Sequence, residues 1–191
     1  MRVGLTGGIG SGKSEVSRFL ESFGAYVIDT DRLAREAVAP QSDGLRAVAR
    51  VWPQVVRGDE LNRSALAEII FADPAARETL NSIVHPHVRR LALERERFAK
   101  PGQIVVHVVP LLFETGYAER VDRSIVVIAP DAARIERVVK RDRIDRAQAL
   151  ARMAAQIEPE IARSRATYVI ENDGNLAHLR DRTQRIYNEL A

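Results

Sequence analysis

Runs of apolar residues separated by helical patterns predict an α/β protein. Five short runs are apolar without alternation, which is typical of parallel strands covered on both faces. They are "RVGLT" at 2–6, "AYVI" at 25–28, "QIVVHVVP" at 103–110, "RSIVVIA" at 123–129 and "TYVIE" at 167–171. The first two flank a glycine loop and a helix, a βαβ unit that implies a parallel sheet. We therefore expect a five-stranded parallel sheet flanked by helices.

Apolar residues at helical spacing mark the helices that flank this sheet. One helix follows the glycine loop and ends at Gly24, and its apolar face is formed by Val16, Phe19, Leu20 and Phe23. A second begins at Pro130 and Asp131 and runs to residue 142. The third is the C-terminal tail, which is expected to pack on the sheet through Leu176, Leu179, Thr183, Ile186 and Leu190.

Residues between the second and third strands contain no strand signal and are read as a helical insert. Pro40, the "RGDELN" turn and the Asp73-Pro74 step separate its helices, which are "DRLAREAV", "DGLRAVARVW", "RSALAEIIF", "PAARETLNSIV" and "PHVRRLALERERF". His85-Pro86 is expected to interrupt the last two, because proline removes a helical hydrogen bond. An insert of this size in an α/β sheet is typical of a substrate-holding subdomain.

The composition is that of an ordinary globular protein. The 191 residues are 46% hydrophobic and 29% charged, enough for one sizeable core. No apolar run approaches the roughly 20 residues that span a bilayer, and there is no cysteine for disulfides or thiolate metal sites. The sequence opens directly on a strand, so we expect no signal peptide, no membrane partner and a cytoplasmic location.

Basic residues concentrate in one segment although the formal net charge is only +3. Residues 134–152 include seven basic and three acidic residues, and this excess of positive charge suits a phosphate-rich small ligand. Nucleic acid is not expected, because no aromatic residues interleave with these bases to stack on nucleobases. Arg134, Arg143 and Arg146 are interpreted as a solvated helix face. "KRD" at 140–142 ends a helix, where the hinge of a mobile lid is expected.

Residues 7–14, "GGIGSGKS", match the phosphate-loop pattern G-x-x-x-x-G-K-[ST] in full. Glycines let the backbone wrap a phosphate closely, and the following helix N-terminus offers amide donors to the anion. Lys13 is expected to reach the β- and γ-phosphates, and the Ser14 hydroxyl to ligate magnesium. The motif lies between a predicted strand and a predicted helix, so the sequence predicts binding of a nucleoside triphosphate.

The remaining acids favour a small-molecule kinase over a GTPase or a motor. No Asn-Lys-x-Asp guanine reader is present, and the strand at 103–110 ends in proline where a metal-binding acid is usual. The strand at 25–28 is instead followed by Asp29 and Asp31, at the carboxyl edge where α/β sheets bind ligands. One acid is suited to ordering water on magnesium and the other to accepting a hydroxyl proton. The alternatives are a helix cap for Asp31 and a strand-end turn for Asp29.

Taken together, the motifs resemble the dephospho-CoA kinase family. The matching stretches are "TGGIGSGKS", "VIDTDRLARE", "IVHPHVR", "VPLLFE", "RDRIDRAQALARMAAQ" and "ENDG", in family order over nearly the whole chain. The resemblance implies transfer of the ATP γ-phosphate to the ribose 3′-hydroxyl of dephospho-CoA, the last step of coenzyme A synthesis. ATP and dephospho-CoA are the implied partners, with Mg²⁺ as cofactor, and we expect a monomer or weak homo-oligomer.

The resemblance also implies roles for individual residues. Asp31 is implied as the general base. Lys13 and Arg141 are implied to stabilise the transferring phosphoryl group. Ser14 is implied to bind the metal ion directly, and Asp29 to bind it through water. ATP is implied to contact Gly8, Gly10, Ser11, Gly12, Lys13, Ser14, Glu15, Asn172 and Gly174. The acceptor side is implied to contain Asp31, His85, Leu111 and Glu114.

Two departures from the family pattern qualify this resemblance. Glu15 stands where threonine is frequent and is expected to point away from the phosphates. Thr167 stands where an acid is common before the last strand, which puts any role of that acid in doubt.

The implied organisation has three parts. Residues 1–30, 103–135 and 165–191 form a P-loop nucleotide-binding core, 31–102 a helical acceptor subdomain and 136–164 an arginine-rich lid. The alternatives are a nucleoside or nucleotide monophosphate kinase, which shares these features, and a nucleotide-dependent regulatory or nucleic-acid-binding protein.

Overall fold

The structure, a computed structural model, describes all 191 residues and divides into two compact units. Unit 1 comprises Met1–Ile28 and Ala99–Ala191, and unit 2 comprises Asp29–Phe98. No helix in it is both long enough and apolar enough to cross a bilayer.

The central sheet has five strands. They are β1 (Arg2–Gly7), β2 (Tyr26–Asp29), β5 (Val105–Val108), β6 (Arg123–Ile128) and β7 (Tyr168–Glu171), in the order β2-β5-β1-β6-β7. β1 pairs in parallel with β5 and β6, and β6 pairs in parallel with β7. The continuous apolar runs arise because the strands are buried on both faces. The predicted five-stranded parallel sheet is confirmed.

Unit 1 contains five α-helices, three of which pack against the sheet through apolar residues. They are α1 (Lys13–Ser22), α6 (Asp131–Asp142), α7 (Arg146–Ala154), α8 (Pro159–Arg165) and α9 (Leu176–Leu190). α1 and α9 bury Val16, Leu20, Leu179, Ile186 and Leu190 in one cluster with residues of β1, β5, β6 and β7. The expected buried position of Leu176 is wrong: it begins α9, lies outside this cluster and is 58% exposed.

A second apolar cluster lies between the sheet and α8. Val109, Leu112 and Phe113, which follow β5, pack there with Val126 of β6 and Ala162 of α8. This packing fixes the segment after β5, residues 109–116, in which two predicted acceptor residues lie.

Unit 2 is helical with one short hairpin. Its helices are α2 (Thr30–Ala37), α3 (Asp43–Val51), α4 (Arg63–Ala72) and α5 (Pro74–Glu96). The predicted "RGDELN" turn is present and joins a hairpin of β3 (Val56–Arg57) and β4 (Glu60–Leu61), two strands that were not predicted. Two-residue strands show no periodicity, so only the turn was visible in the sequence. The unit's core is built around Val48, Val55 and Leu66.

α5 contradicts the expectation that His85-Pro86 interrupts two helices. It is continuous over 23 residues with Pro86 inside it. A proline within a helix costs about 3 kcal/mol, and here apolar packing on both sides of it offsets that cost. Ile83 and Val84 pack against the core of unit 2, and Val88 is 7% exposed.

Candidate active site

The phosphate loop joins β1 to α1. Ser11 N–H donates to the Gly8 carbonyl at 3.0 Å, and Glu15 N–H donates to the Gly12 carbonyl at 3.0 Å. Gly10 and Gly12 have φ of 76° and 100°, which favour glycine. No side chain caps the N-terminus of α1. The amides of its first turn are therefore suited to bind an anion.

Asn172, predicted as a nucleotide ligand, supports this loop from the end of β7. It is 6% exposed, and its Nδ2 donates to the Ser11 carbonyl at 2.7 Å. A Cβ at Gly12 would collide with this amide, so the loop lies directly against Asn172. Arg182 holds the following turn, and its hydrogen bond keeps the pKa of Asp173 below the ordinary value. Gly174, in the same turn, is exposed.

Arg134 does not lie on a solvated helix face, and that expectation is wrong. Only 5% of the residue is exposed. Its Nε donates to the Ile9 carbonyl at 3.1 Å, and its Nη1 pairs with Asp131 at 2.9 Å. Its guanidinium would overlap a Cβ at Gly8, and its backbone would overlap a Cβ at Gly10. Helical periodicity could not reveal this burial, because the partner is a backbone group far away in the chain.

Arg141 lies at the end of α6 in a group of three charges. Asp142 accepts hydrogen bonds from Arg141 Nε at 2.7 Å and from Arg152 Nη1 at 2.8 Å. The hydrogen bond raises the pKa of Arg141 and lowers the pKa of Asp142, which the charges of both arginines lower further. Both arginines stay about half exposed. One carboxylate thus holds two cations in a position accessible to an anionic ligand.

The segment after β5 contacts both the end of β1 and the α7–α8 junction. Thr6 Oγ1 donates to the Pro110 carbonyl at 3.2 Å, and Glu114 Oε1 accepts from Ile157 N–H at 3.3 Å. Leu111 is 41% exposed. A pocket is lined by these elements, with Ser11, Glu114, Arg134 and Gln156 among its polar residues.

In unit 2, Asp29 rather than Asp31 caps α2. Asp29 Oδ1 accepts from the N–H groups of Asp31 and Arg32 at 2.9 and 3.2 Å. The helix-cap alternative for Asp31 is therefore wrong, and Asp31 lies in the exposed first turn. His85 is half-buried in α5, and this burial, with the charge of Arg89, lowers its pKa.

The donors present fit a magnesium ion that binds with the nucleotide. No group of three or more His, Cys, Asp or Glu side chains forms a metal cage. Mg²⁺ commonly uses only one or two protein ligands, with waters and phosphate oxygens completing its shell. Ser14, whose hydroxyl could be such a ligand, is exposed in the first turn of α1, and Glu15 beside it pairs with Arg18 on the surface.

Sequence reasoning missed the roles of Gln156 and Arg152, and it predicted Asp142 only as part of the "KRD" hinge at 140–142. Gln156 accepts from a loop amide, and Asp142 and Arg152 complete the charge group around Arg141. Gln156 lies after the last apolar position of α7, where no periodic pattern reaches. Charge spacing shows Asp142 and Arg152 only as members of a basic segment.

Comparison with known proteins identifies the family. A family profile described as dephospho-CoA kinase matches residues 1–178. The dephospho-CoA kinase of Moorella thermoacetica is 47% identical over 193 residues, covering 98% of this chain and 91% of that protein. The chain belongs to the dephospho-CoA kinase family.

Solved structures show the same fold. A Thermus thermophilus protein superposes with a TM-score of 0.88 at 40% identity, covering 100% of this chain and 98% of that one. The dephospho-CoA kinase of Campylobacter jejuni has the same fold, with a TM-score of 0.66 at 22% identity, covering 100% and 97%. The predicted P-loop kinase fold is confirmed.

Proposed function

We propose that this protein transfers the γ-phosphoryl group of ATP to the ribose 3′-hydroxyl of dephospho-CoA, giving CoA and ADP. This is the final step of CoA biosynthesis. The observation that carries the proposal is the complete phosphate loop at residues 7–14 in a chain that matches the dephospho-CoA kinase profile over residues 1–178.

ATP binds along the phosphate loop and the start of α1. The uncapped helix N-terminus and the loop amides receive the phosphates, and the binding residues are Gly8, Gly10, Ser11, Gly12, Lys13, Ser14 and Glu15. Asn172 acts by supporting the Ser11 carbonyl, and Gly174 borders the nucleotide. Lys13 and Arg141 stabilise the charge that develops on the phosphoryl group.

Asp29 and Asp31 have separate roles, one at the metal ion and the other at the acceptor hydroxyl. Asp29 Oδ1 already accepts two N–H groups, so Oδ2 is the oxygen left to order a water on Mg²⁺. Ser14 would hold the ion through its hydroxyl, and the ion would neutralise phosphate charge when bound with ATP. Asp31 does not cap α2, so it is the better general base for the 3′-hydroxyl. His85, Leu111 and Glu114 contact the acceptor.

Substitution of Asp31 tests the proposed base. Asp31→Asn is expected to lower kcat with dephospho-CoA by about a hundredfold, the usual scale for loss of a general base. ATP affinity should change little, and folding should be kept because Asp29 supplies the cap of α2. The assay couples ADP release to NADH oxidation, with ATP affinity measured by calorimetry.

Asp59→Asn is the matched control, since Asp59 lies in the β3–β4 turn of the same unit. A panel of nucleosides and nucleotides serves as alternative acceptors. Turnover of Asp31→Asn equal to that of the wild type would refute the role of Asp31. Stoichiometric ADP release with a nucleoside or nucleotide only would refute the proposed acceptor.

A further inference from the structure

Gln156 contacts the phosphate loop from the junction between α7 and α8. Its side-chain carbonyl Oε1 accepts a hydrogen bond from the backbone N–H of Ile9 at 2.7 Å. The carbonyl of Ile9 in turn accepts from Arg134 Nε at 3.1 Å. Both backbone groups of Ile9 are therefore bonded to side chains of the α6–α8 segment, residues 131–165.

The Ile9 side chain joins the same segment. It packs against the buried residues Ile135, Val138 and Ala149, which form the apolar core between α6 and α7. The next carbonyl, that of Gly10, accepts from Arg137 Nη1 at 3.1 Å. The tip of the loop is thus held by hydrogen bonds at its backbone and by apolar packing at its side chain.

This attachment matters because Ile9 stands between two glycines. Gly8 and Gly10 leave the backbone on either side with more freedom than any other residue would. The amides that follow can bind phosphate only if the loop keeps one path, and ordering glycines when the nucleotide binds would weaken that binding. A contact that fixes Ile9 beforehand removes this cost.

We propose that Gln156 is a positioning residue for phosphoryl transfer, which fixes the phosphate loop through the Ile9 amide before the nucleotide binds. The inference rests on the proposed function and names a residue outside its catalytic set. A second bond fixes the same junction, because Ile157 N–H donates to Glu114 Oε1. The α7–α8 junction thereby connects the loop to the segment after β5.

Gln156→Met tests this role, because methionine has a similar length and no carbonyl. Amide exchange of Ile9, followed by NMR, is expected to become about tenfold faster, and KM for ATP about tenfold higher, the scale of one lost hydrogen bond. KM for dephospho-CoA should stay within twofold of the wild-type value. Gln148→Met is the matched control: Gln148 Oε1 also accepts a backbone N–H, that of Asp145 within the cap of α7, and its loss should change neither quantity.

Gln156→Glu separates the bond from the fold, because it keeps an acceptor oxygen for Ile9 N–H. In Gln156→Glu the amide of Ile9 should exchange at the wild-type rate. This measurement tests the proposal even if Gln156→Met does not fold. The proposal would be overturned if Gln156→Met kept both the wild-type exchange rate of the Ile9 amide and the wild-type KM for ATP. It would also be overturned if the Ile9 amide exchanged fast in Gln156→Glu. The exchange measurement needs no acceptor, so a wild-type enzyme inactive on dephospho-CoA would refute the proposed function alone.

Discussion

Three carbonyl oxygens of the phosphate loop are bonded to side-chain donors outside the loop. The carbonyls of Ile9, Gly10 and Ser11 accept from Arg134, Arg137 and Asn172 in turn. An N–H group that is offered to phosphate is not available to one of the loop's own carbonyls, yet polar backbone groups away from water need partners. The three side chains meet that requirement.

Asn172→Ala tests how much one of these bonds contributes to stability. The substitution removes the 2.7 Å bond and leaves the Ser11 carbonyl in a site that is 1% exposed without that donor. We expect the free energy of unfolding to fall by about 1–3 kcal/mol, measured by urea denaturation. Asn188→Ala is the control, because the bond of Asn188 with Gln184 lies on the exposed surface of α9. Equal losses for both variants would contradict this account.

At the scale of the element, the strands of the central sheet were predictable from the sequence, whereas the continuity of α5 was not. β1 is buried at every position after Arg2, so its apolar run was a sufficient signal. The continuity of α5 through Pro86 was not predictable, because it depends on packing partners on both sides of the proline. Local sequence shows the cost of a proline but not the contacts that offset it.

The corner between α2 and α3 offers a prediction in which two effects oppose each other. Gly44 lies in the first turn of α3, and a Cβ there would overlap the Ala37 carbonyl oxygen at the end of α2. Helix propensity alone favours alanine over glycine by about 1 kcal/mol. Overpacking against backbone costs about 1–3 kcal/mol, and Ser42 Oγ also donates to that carbonyl at 2.9 Å.

We therefore expect Gly44→Ala to destabilise the protein by up to about 2 kcal/mol, the difference between these terms. Chemical denaturation of the two proteins under identical conditions gives the value. An increase in stability would mean that α3 shifts away from Ala37 without cost and that propensity dominates.

At the scale of the whole molecule, the sequence predicted the sheet, the loop and the family more completely than the contacts of the site. The roles of motif residues such as Lys13 and Ser14 can be predicted from a local sequence pattern. The roles of Arg134 and Gln156 depend on hydrogen bonds to a residue more than a hundred positions away in the chain. Such bonds exist only after the chain has folded, so no spacing rule reveals them.

The two units lead to a separation of binding effects. All the proposed nucleotide-contacting residues lie in unit 1, whereas His85 lies in unit 2. His85→Gln should therefore raise KM for dephospho-CoA by about tenfold, as for one lost hydrogen bond, and leave ADP affinity within twofold. Steady-state kinetics and calorimetry measure the two quantities. His178→Gln, at an exposed position of α9, should alter neither; a parallel change in ADP affinity in His85→Gln would refute the separation.

β1 is the first strand to be synthesised, and it has no partner until much of the chain exists. It lies between β5 and β6, where Arg2 pairs with Val105 and Val3 with Arg123. β2 also borders β5, so no contact of the central sheet can form before β5 is synthesised. Unit 2 is one continuous stretch, and short-range contacts form fastest. During translation we expect the helical unit to fold first, with the phosphate loop completed only when Asn172 leaves the ribosome.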